Sequence, residues 1–330
     1  MINVKILIVG AGAVGGYFGG MLAKSGGNST GSLDVTFLAR GEHLKAIQEK
    51  GLYIKSINGD FNIKIKAVEI PDNNEKYDLI IIAVKSYDLH DACNTIINSV
   101  NNNTVIMSLL NGVDSEEIIG NFFGTDKVIG SVAFIGSQIL EPGLISHTAS
   151  GMITIGELNG TKSKRCEEIL NAFERVKIPI KLSENIQKDI WAKMVWNTGF
   201  NAITALTGSL VSDVLSIPES RKIAEMAMKE TVEVANKKGI RLSDDLAEKT
   251  ISKTLKAGAI KTSMLQDREN GKIMEIDSLN GAIVRLGHKM NVSIPVNETL
   301  YGAIKVINKR LFSSQTPTPI CCSFNTTTNW

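Results

Sequence analysis

The chain has 330 residues, of which 43% are hydrophobic and 21% charged, and its formal net charge is +2. This length is sufficient for two globular domains, each with its own hydrophobic core. A net charge so small, with no basic cluster, argues against a nucleic-acid partner or an anionic membrane. The cysteines are sparse and lack metal-ligand spacing, so we expect no metal site and a reduced, cytoplasmic protein.

Neither a secretory signal nor a membrane span is expected. The chain begins with MINVKILIVG, which runs directly into an apolar segment without a cleavage site behind it. The uncharged run of residues 194–212 is rich in Asn, Thr, Ser and Gly, a poor composition for a bilayer segment.

The first predicted elements are a strand, a glycine-rich turn and a helix. Residues 4–9 (VKILIV) are apolar except for Lys5, typical of a strand buried on both faces of a parallel sheet. The next six residues fit G-x-G-x-x-G: Gly10, Ala11, Gly12, Ala13, Val14 and Gly15. In this pattern the backbone can approach a pyrophosphate, which lies at the helix N-terminus. Because the motif lies between a strand and a helix, it indicates a dinucleotide site rather than an ordinary glycine turn.

The end of the next predicted strand, LDVTFLAR, bears on which dinucleotide binds. An NAD site usually has an acid there for the ribose 2′-hydroxyl, whereas an NADP site often has an arginine for the 2′-phosphate. This strand ends in Arg40, and no acid follows before Glu42. We therefore predict NADPH as the cofactor, with Arg40 at its 2′-phosphate; the alternative is that Arg40 is a plain surface charge.

Two further apolar runs, residues 79–84 and 105–110, predict strands that end at Lys85 and Asn111. Ligands of open α/β sheets lie outside the carboxyl ends of the strands, so we expect both side chains near the cofactor. The alternatives are a solvated lysine and an asparagine that only serves an Asn-Gly turn. More strand-like segments reach about residue 183 and extend the predicted sheet.

From residue 185 the apolar residues recur at helical rather than strand spacing. The predicted organisation is α/β: a doubly wound, Rossmann-type NADP-binding domain over 1–184 and an all-helical substrate and catalytic domain over 185–311. The polar tail 312–330 is expected to be disordered. The sequence leaves open whether the helical domain also pairs two chains into a homodimer.

One predicted helix, residues 191–206 (WAKMVWNTGFNAITAL), carries a polar stripe. Lys193, Asn197 and Asn201 recur every four residues and therefore lie along one face. A solvated face is the alternative, but apolar residues spread around the rest of the helix. That distribution is typical of a buried helix, whose polar groups need partners. Lining a substrate cleft would meet that need.

A second polar set follows in KTSMLQDRENGKIMEIDSLNG. It consists of Ser263, Asp267, Glu275 and Asn280. Glu275 stands between Met274 and Ile276, so we expect it to face a pocket; a salt-bridged surface carboxylate is the alternative.

From Met1 to about Arg310 the chain resembles the ketopantoate reductase (2-dehydropantoate 2-reductase) family. The resemblance rests on ILIVGAGAVGGYFGG, AVKSYD, LLNGV, WAKMVWNTGFNAITAL, SMLQD and EIDSLNGAIVRLG. The glycine motif is shared with many dehydrogenases, whereas the K-x₃-N-x₃-N helix and the later E-I-D-x-x-N-G are more specific. The resemblance implies an oxidoreductase acting on a CH–OH group. The implied reaction reduces 2-dehydropantoate to (R)-pantoate with NADPH, on the route to pantothenate and coenzyme A.

The resemblance also implies roles for single residues. Lys193 matches the catalytic lysine, which supplies a proton to the ketone oxygen as hydride reaches the carbon. Glu275 matches the carboxylate at the junction of cofactor and substrate. The matches to substrate-binding residues are Asn197, Asn201 and Ser263. The matches to cofactor contacts are Lys85 and Asn111.

The sequence departs from the family at two places. No asparagine follows Asn201 in AITALTGSLVSDV, where some members have another substrate contact, and the tail with Cys321 and Cys322 has no counterpart. Two alternatives therefore remain: a related NADPH-dependent reductase of another 2-keto or 3-keto acid, and a non-enzymatic NADP-binding redox sensor.

Overall fold

The computed structural model describes residues 4–24 and 33–315. Its strands are β1 (Val4–Val9), β2 (Leu33–Leu38), β3 (Leu52–Ser56), β4 (Phe61–Ile63), β5 (Lys66–Val68), β6 (Leu79–Ile82), β7 (Val105–Ser108), β8 (Val128–Glu141), β9 (Leu144–Glu157) and β10 (Ile180–Leu182). Its α-helices are α1 (Ala13–Lys24), α2 (Gly41–Lys50), α3 (Leu89–Thr95), α4 (Ser115–Phe123), α5 (Lys164–Arg175), α6 (Ile186–Thr207), α7 (Val211–Ser216), α8 (Pro218–Lys237), α9 (Leu246–Leu255), α10 (Ser263–Glu269), α11 (Asn280–Met290) and α12 (Pro295–Gln315).

All ten strands belong to one sheet, in the order β4-β3-β9-β8-β7-β6-β1-β2-β5, with β10 paired to β9. The pairs from β8 through β7, β6, β1 and β2 to β5 are parallel, whereas β8 and β9 form an antiparallel hairpin. The predicted α/β class, with a Rossmann-type sheet followed by helices, is confirmed.

Both faces of the central sheet are covered, which is why its strands are apolar without alternation. Ile6 and Ile8 of β1 belong to a core with residues of α1, α2 and α5. Leu7 and Val9 point to the other face and belong to a core with residues of α3 and α4. The sheet is therefore doubly wound, as predicted.

Three short strands, β3, β4 and β5, and four helices, α2, α3, α4 and α5, have no counterpart among the predicted elements. β3 and β4 form an antiparallel pair that joins the sheet beside β9. In β3 only Leu52 and Ile54 are buried, so its apolar pattern is too short to indicate a strand. Of these helices, α5 packs on the same face of the sheet as α1 and α2.

The helices that follow β10 are organised around α6, which packs against α7, α8, α9, α10 and α12. Gly199 allows a close crossing with α8, because a Cβ there would lie 2.2 Å from Met228 Cε. α6 also packs against β8, so it joins the sheet to the helices. In the described ranges, no strand follows β10.

The last helix, α12, continues to Gln315 and so passes the predicted limit at residue 311. The physical reason is that no glycine or proline occurs in residues 311–316 to stop it before Pro317. The rest of the predicted tail, 316–330, lies outside the described residues. None of the helices within 4–24 and 33–315 combines the length and apolarity needed to cross a membrane.

Candidate active site

The glycine motif forms a tight turn between β1 and α1. Gly10 has φ +99°, and the N–H groups of Gly10 and Ala11 both donate to the Leu38 carbonyl, at 3.1 and 3.2 Å. A Cβ on Gly15 would lie 2.1 Å from the Gly10 carbonyl oxygen, so only glycine permits this packing. At Gly12, by contrast, a Cβ would meet nothing within 4 Å. The turn is closed towards the sheet and open at Gly12, as a pyrophosphate cradle requires.

Arg40 lies two residues after the end of β2, at the edge of the sheet where the glycine turn lies. Its side chain is 74% exposed, and its guanidinium donates to Asp88 Oδ2 at 2.8 Å. Asp88 belongs to a short 3₁₀ turn after β6. A guanidinium has five N–H donors, so a phosphate can bind there without displacing Asp88.

Lys85 joins the sheet to the helices. Its ammonium lies 2.6 Å from Asp267 Oδ2 and 3.1 Å from Glu275 Oε2, and the Ser86 N–H donates to Glu275 Oε1 at 2.7 Å. Burial alone would lower the pKa of Lys85, but the charges of Glu275 and Asp267 outweigh it and raise that pKa above its ordinary value. Burial raises the pKa of Asp267, and Lys85 opposes that shift. Glu275 is only 8% exposed. The alternative, that Glu275 is a carboxylate on the protein surface, is therefore wrong.

Asn111 follows β7 and is half-buried. With Glu275 it lines a cavity of about 720 Å³ between the α3–α4 side of the sheet and the helices that follow α10. Tyr87, Ile118 and Arg285 also line it. Neither the glycine turn nor Lys193 borders this cavity, so it adjoins the candidate site at Asn111 and Glu275 rather than containing it.

Lys193 lies on α6 where that helix meets β8. Its ammonium donates to the Ala133 carbonyl at 2.8 Å and lies 5.7 Å from the centroid of the Phe134 ring. Burial lowers the pKa of Lys193 to about 8, while the charge of Glu275 acts in the opposite direction. A lysine that exchanges its proton near neutral pH is suited to general acid catalysis.

The two asparagines of the stripe are buried, with exposed fractions of 4% for Asn197 and 1% for Asn201. The solvated-face alternative is therefore wrong for both. Asn201 Nδ2 lies 3.4 Å from Asn197 Oδ1, and Asn201 Oδ1 is buried without a hydrogen-bond partner in the described residues. Asn280 Oδ1 is also unpaired there, but Asn280 Nδ2 donates to two protein oxygens. An unpaired buried amide oxygen is costly, and a ligand hydroxyl could satisfy it.

Ser263 is the first residue of α10 and is exposed. Within the described ranges its hydroxyl has no hydrogen bond, either to Lys193 and the asparagines or to any other residue. Its neighbour Thr262 caps α10 and bonds to Thr204 of α6 at 2.7 Å. The role of Ser263 as a substrate contact therefore stays a prediction.

Two acids stand in these clusters although no role is predicted for them: Asp88 beside Arg40 and Asp267 beside Lys85. Their partners lie 48 and 182 residues away in the chain, so local patterns do not reveal the pairing. The one available signal is the four-residue spacing of Ser263 and Asp267, which puts both on one helix face.

Comparison with known proteins gives a consistent result over nearly the whole chain. Residues 6–160 match the family model of ketopantoate reductase PanE/ApbA, and residues 185–308 match the model of its C-terminal region. A 2-dehydropantoate 2-reductase of Pyrococcus abyssi is 37% identical, over 92% of this chain and 97% of its own.

Solved structures with the same fold include enzymes with different named substrates. The crystal structure of 2-dehydropantoate 2-reductase from Geobacter metallireducens is 31% identical, with a TM-score of 0.85 over 92% of this chain and 100% of that one. A complex of D-mandelate dehydrogenase with NADH is 25% identical, with a TM-score of 0.83 over 93% of this chain and 100% of that one.

Proposed function

Because this chain belongs to the ketopantoate reductase family, we propose that it reduces 2-dehydropantoate to (R)-pantoate with NADPH. Members of this family are NAD(P)-dependent oxidoreductases. One observation carries the proposal: Lys193, whose pKa is lowered by burial, lies on one helix face with the buried amides of Asn197 and Asn201. The charge of Glu275 also acts on the pKa of Lys193.

Lys193 is proposed as the general acid. The bound nicotinamide supplies the hydride. As hydride reaches the ketone carbon, negative charge grows on the carbonyl oxygen, and the Lys193 ammonium stabilises that charge and donates its proton. The bond to the Ala133 carbonyl holds the ammonium in place, and water restores the proton afterwards.

Asn197 and Asn201 are proposed to bind the substrate beside Lys193. The unpaired Asn201 oxygen can accept a hydrogen bond from a substrate hydroxyl, and amide N–H groups can donate to a carboxylate. Ser263 is proposed as a further hydroxyl contact, from its exposed position at the start of α10. Partners fixed by a helix hold the ketone in one orientation, which lowers the entropic barrier to reaction.

The cofactor is proposed to run along the carboxyl edge of the sheet. Residues 10–15 would hold its pyrophosphate, and Arg40 its 2′-phosphate. Lys85, Asn111 and Glu275 would contact it where the sheet meets the helices. Residues 1–184 would thus be the dinucleotide-binding domain, and the helices after 185 the substrate domain.

A second candidate is a reductase that acts on another 2-keto acid. The similarity to D-mandelate dehydrogenase favours it, as does the lack of a further asparagine in residues 202–214. The Lys193 chemistry is common to both candidates, since each reduces a ketone beside a carboxylate.

The test is NADPH oxidation by the purified protein with three substrates: 2-dehydropantoate, 2-ketoisovalerate and the keto acid that corresponds to mandelate. The proposal predicts the highest kcat/KM with 2-dehydropantoate, and a lower one when NADH replaces NADPH. A higher kcat/KM with either of the other acids would mean that this acid, and not 2-dehydropantoate, is the substrate. The Lys193→Ala protein serves as the blank.

A further inference from the structure

His43 connects the glycine turn to a second turn far away in the sequence. It lies in the first turn of α2, three residues after Arg40. Its Nε2 is 2.8 Å from the Ala11 carbonyl oxygen, and its Nδ1 is 3.0 Å from the N–H nitrogen of Gly143. Gly143 belongs to the turn of the β8–β9 hairpin. The imidazole thus bridges groups that lie 32 and 100 residues from it along the chain.

These two bonds fix the proton on the ring. A carbonyl oxygen can only accept, so Nε2 must carry the proton that it donates to Ala11. A backbone N–H can only donate, so Nδ1 must be unprotonated to accept from Gly143. His43 is therefore held as the neutral Nε2–H tautomer. Burial favours this state, since it lowers the pKa of His43 against the opposing effect of the Ala11 bond.

The bond to Ala11 also orients Gly12. The Ala11 carbonyl and the Gly12 N–H belong to one planar trans peptide, so they point in opposite directions. With the carbonyl held towards His43, the Gly12 N–H is directed away from it. In the described ranges this N–H donates no hydrogen bond, and a Cβ on Gly12 would meet nothing within 4 Å.

We propose that His43 is a positioning residue of the dinucleotide site, which presets the Ala11–Gly12 peptide so that the Gly12 N–H meets the cofactor's pyrophosphate. The G-x-G-x-x-G pattern does not contain this residue. A preset donor binds more tightly than one that must first reorient, because the cost of ordering is already met in the free protein. The inference rests on the proposed function only for dinucleotide binding, and the identity of the keto acid does not enter it.

Two substitutions separate the two bonds of His43. In His43→Gln the amide nitrogen can reach the place of Nε2 and donate to Ala11. In His43→Asn the shorter side chain puts its amide oxygen near the place of Nδ1, where it accepts from Gly143 but cannot reach Ala11. The Kd of NADPH, measured by fluorescence titration without a keto acid, should rise about tenfold in His43→Asn and stay within about threefold of wild type in His43→Gln.

The same titration with NADH shows whether His43 acts at the pyrophosphate or at the 2′-phosphate, which NADH lacks. Both dinucleotides contain the pyrophosphate, so His43→Asn should weaken both by the same factor. A change in the ratio of the two Kd values would overturn the inference, as would a wild-type Kd in His43→Asn or an equal loss in both variants. Thermal melting shows that each variant is folded.

A measurement on the unaltered protein covers the case in which a variant does not fold. Nitrogen NMR of the imidazole rings should show the Nε2–H tautomer for His43, with and without NADP. The Nδ1–H tautomer would overturn the inference. Wild-type protein that binds NADPH but does not reduce 2-dehydropantoate would disprove the proposed function alone, whereas protein that binds no dinucleotide would disprove both.

Discussion

Helix α6 carries two sets of buried polar side chains that differ in where their partners come from. The threonine pair, Thr198 and Thr204, is satisfied by the protein: their hydroxyls bond to backbone carbonyls of α6 and, at 2.8 and 2.7 Å, to the hydroxyls of Thr231 and Thr262. The second set, which we call the amide stripe, consists of Lys193, Asn197 and Asn201. The protein does not satisfy all of its polar atoms, because Asn201 Oδ1 has no hydrogen-bond partner in the described residues. Buried polar groups with protein partners hold the helices together, whereas a group without one is available to a ligand.

The largest expected effect comes from removing the ammonium of the amide stripe. Lys193→Ala should lower kcat for the reduction by about 10²- to 10⁴-fold, because the growing charge on the ketone oxygen loses its proton donor. Steady-state kinetics at saturating NADPH measure this. Lys188→Ala, an exposed lysine of the same helix, is the matched control and should change kcat by less than about twofold. A similar kcat in both variants would remove Lys193 from the mechanism.

Arg40 differs from both sets, because it already has a protein partner and is nevertheless predicted to bind the cofactor. Arg40→Ala should raise the KM for NADPH by about 10- to 100-fold, the usual range for losing a charge-assisted contact to phosphate. The KM for NADH should not change, because NADH has no 2′-phosphate. An equal effect on both would mean that Arg40 is a surface charge paired with Asp88.

The pH dependence of kcat/KM tests whether Lys193 of the amide stripe donates the proton. Only the ammonium can donate, and burial lowers the pKa of Lys193 to about 8. The kcat/KM for reduction should therefore be level below pH about 8 and fall by about tenfold per pH unit above it. Lys193→Arg, whose guanidinium stays protonated, should lose this descending limb even if its rate is lower. A wild-type profile that stays level up to pH about 10 would contradict the assigned role.

The smallest effect is expected from the threonine pair. Thr204→Val keeps the shape but breaks the bond to Thr262, so the melting temperature should fall by a few degrees. The kcat and KM should stay within about twofold of wild type. If this substitution raised the KM for the keto acid at an unchanged melting temperature, the distinction between the two sets would fail.

The sequence is sufficient to predict the amide stripe and its helix, because spacing of four residues and apolar surroundings are local properties. It is also sufficient for the central parallel strands, whose apolar runs are long. It contains a signal for α5 as well, in the helical spacing of Cys166, Ile169 and Phe173 after the N-cap Ser163, although α5 is not among the predicted elements.

Partners brought together by the fold could not be predicted in the same way. The Ala133 carbonyl that holds Lys193 lies 60 residues away, and Asp267 lies 182 residues from Lys85. The role of His43 depends on one carbonyl and one N–H of the backbone. Nearly every residue has these groups, so the sequence gives no signal for them. Whether a buried asparagine is satisfied is likewise a property of the packed structure.

The keto acid KM of Asn201→Ala decides whether the amide stripe binds the substrate. It is measured with 2-dehydropantoate, and Thr198→Val from the threonine pair is the control. If the amide stripe faces the substrate, Asn201→Ala should raise this KM about tenfold, through the loss of one or two hydrogen bonds, and leave the KM for NADPH unchanged. Thr198→Val should lower the melting temperature without changing either KM. An unchanged keto acid KM in Asn201→Ala, together with a lower melting temperature, would show that the amide stripe is structural.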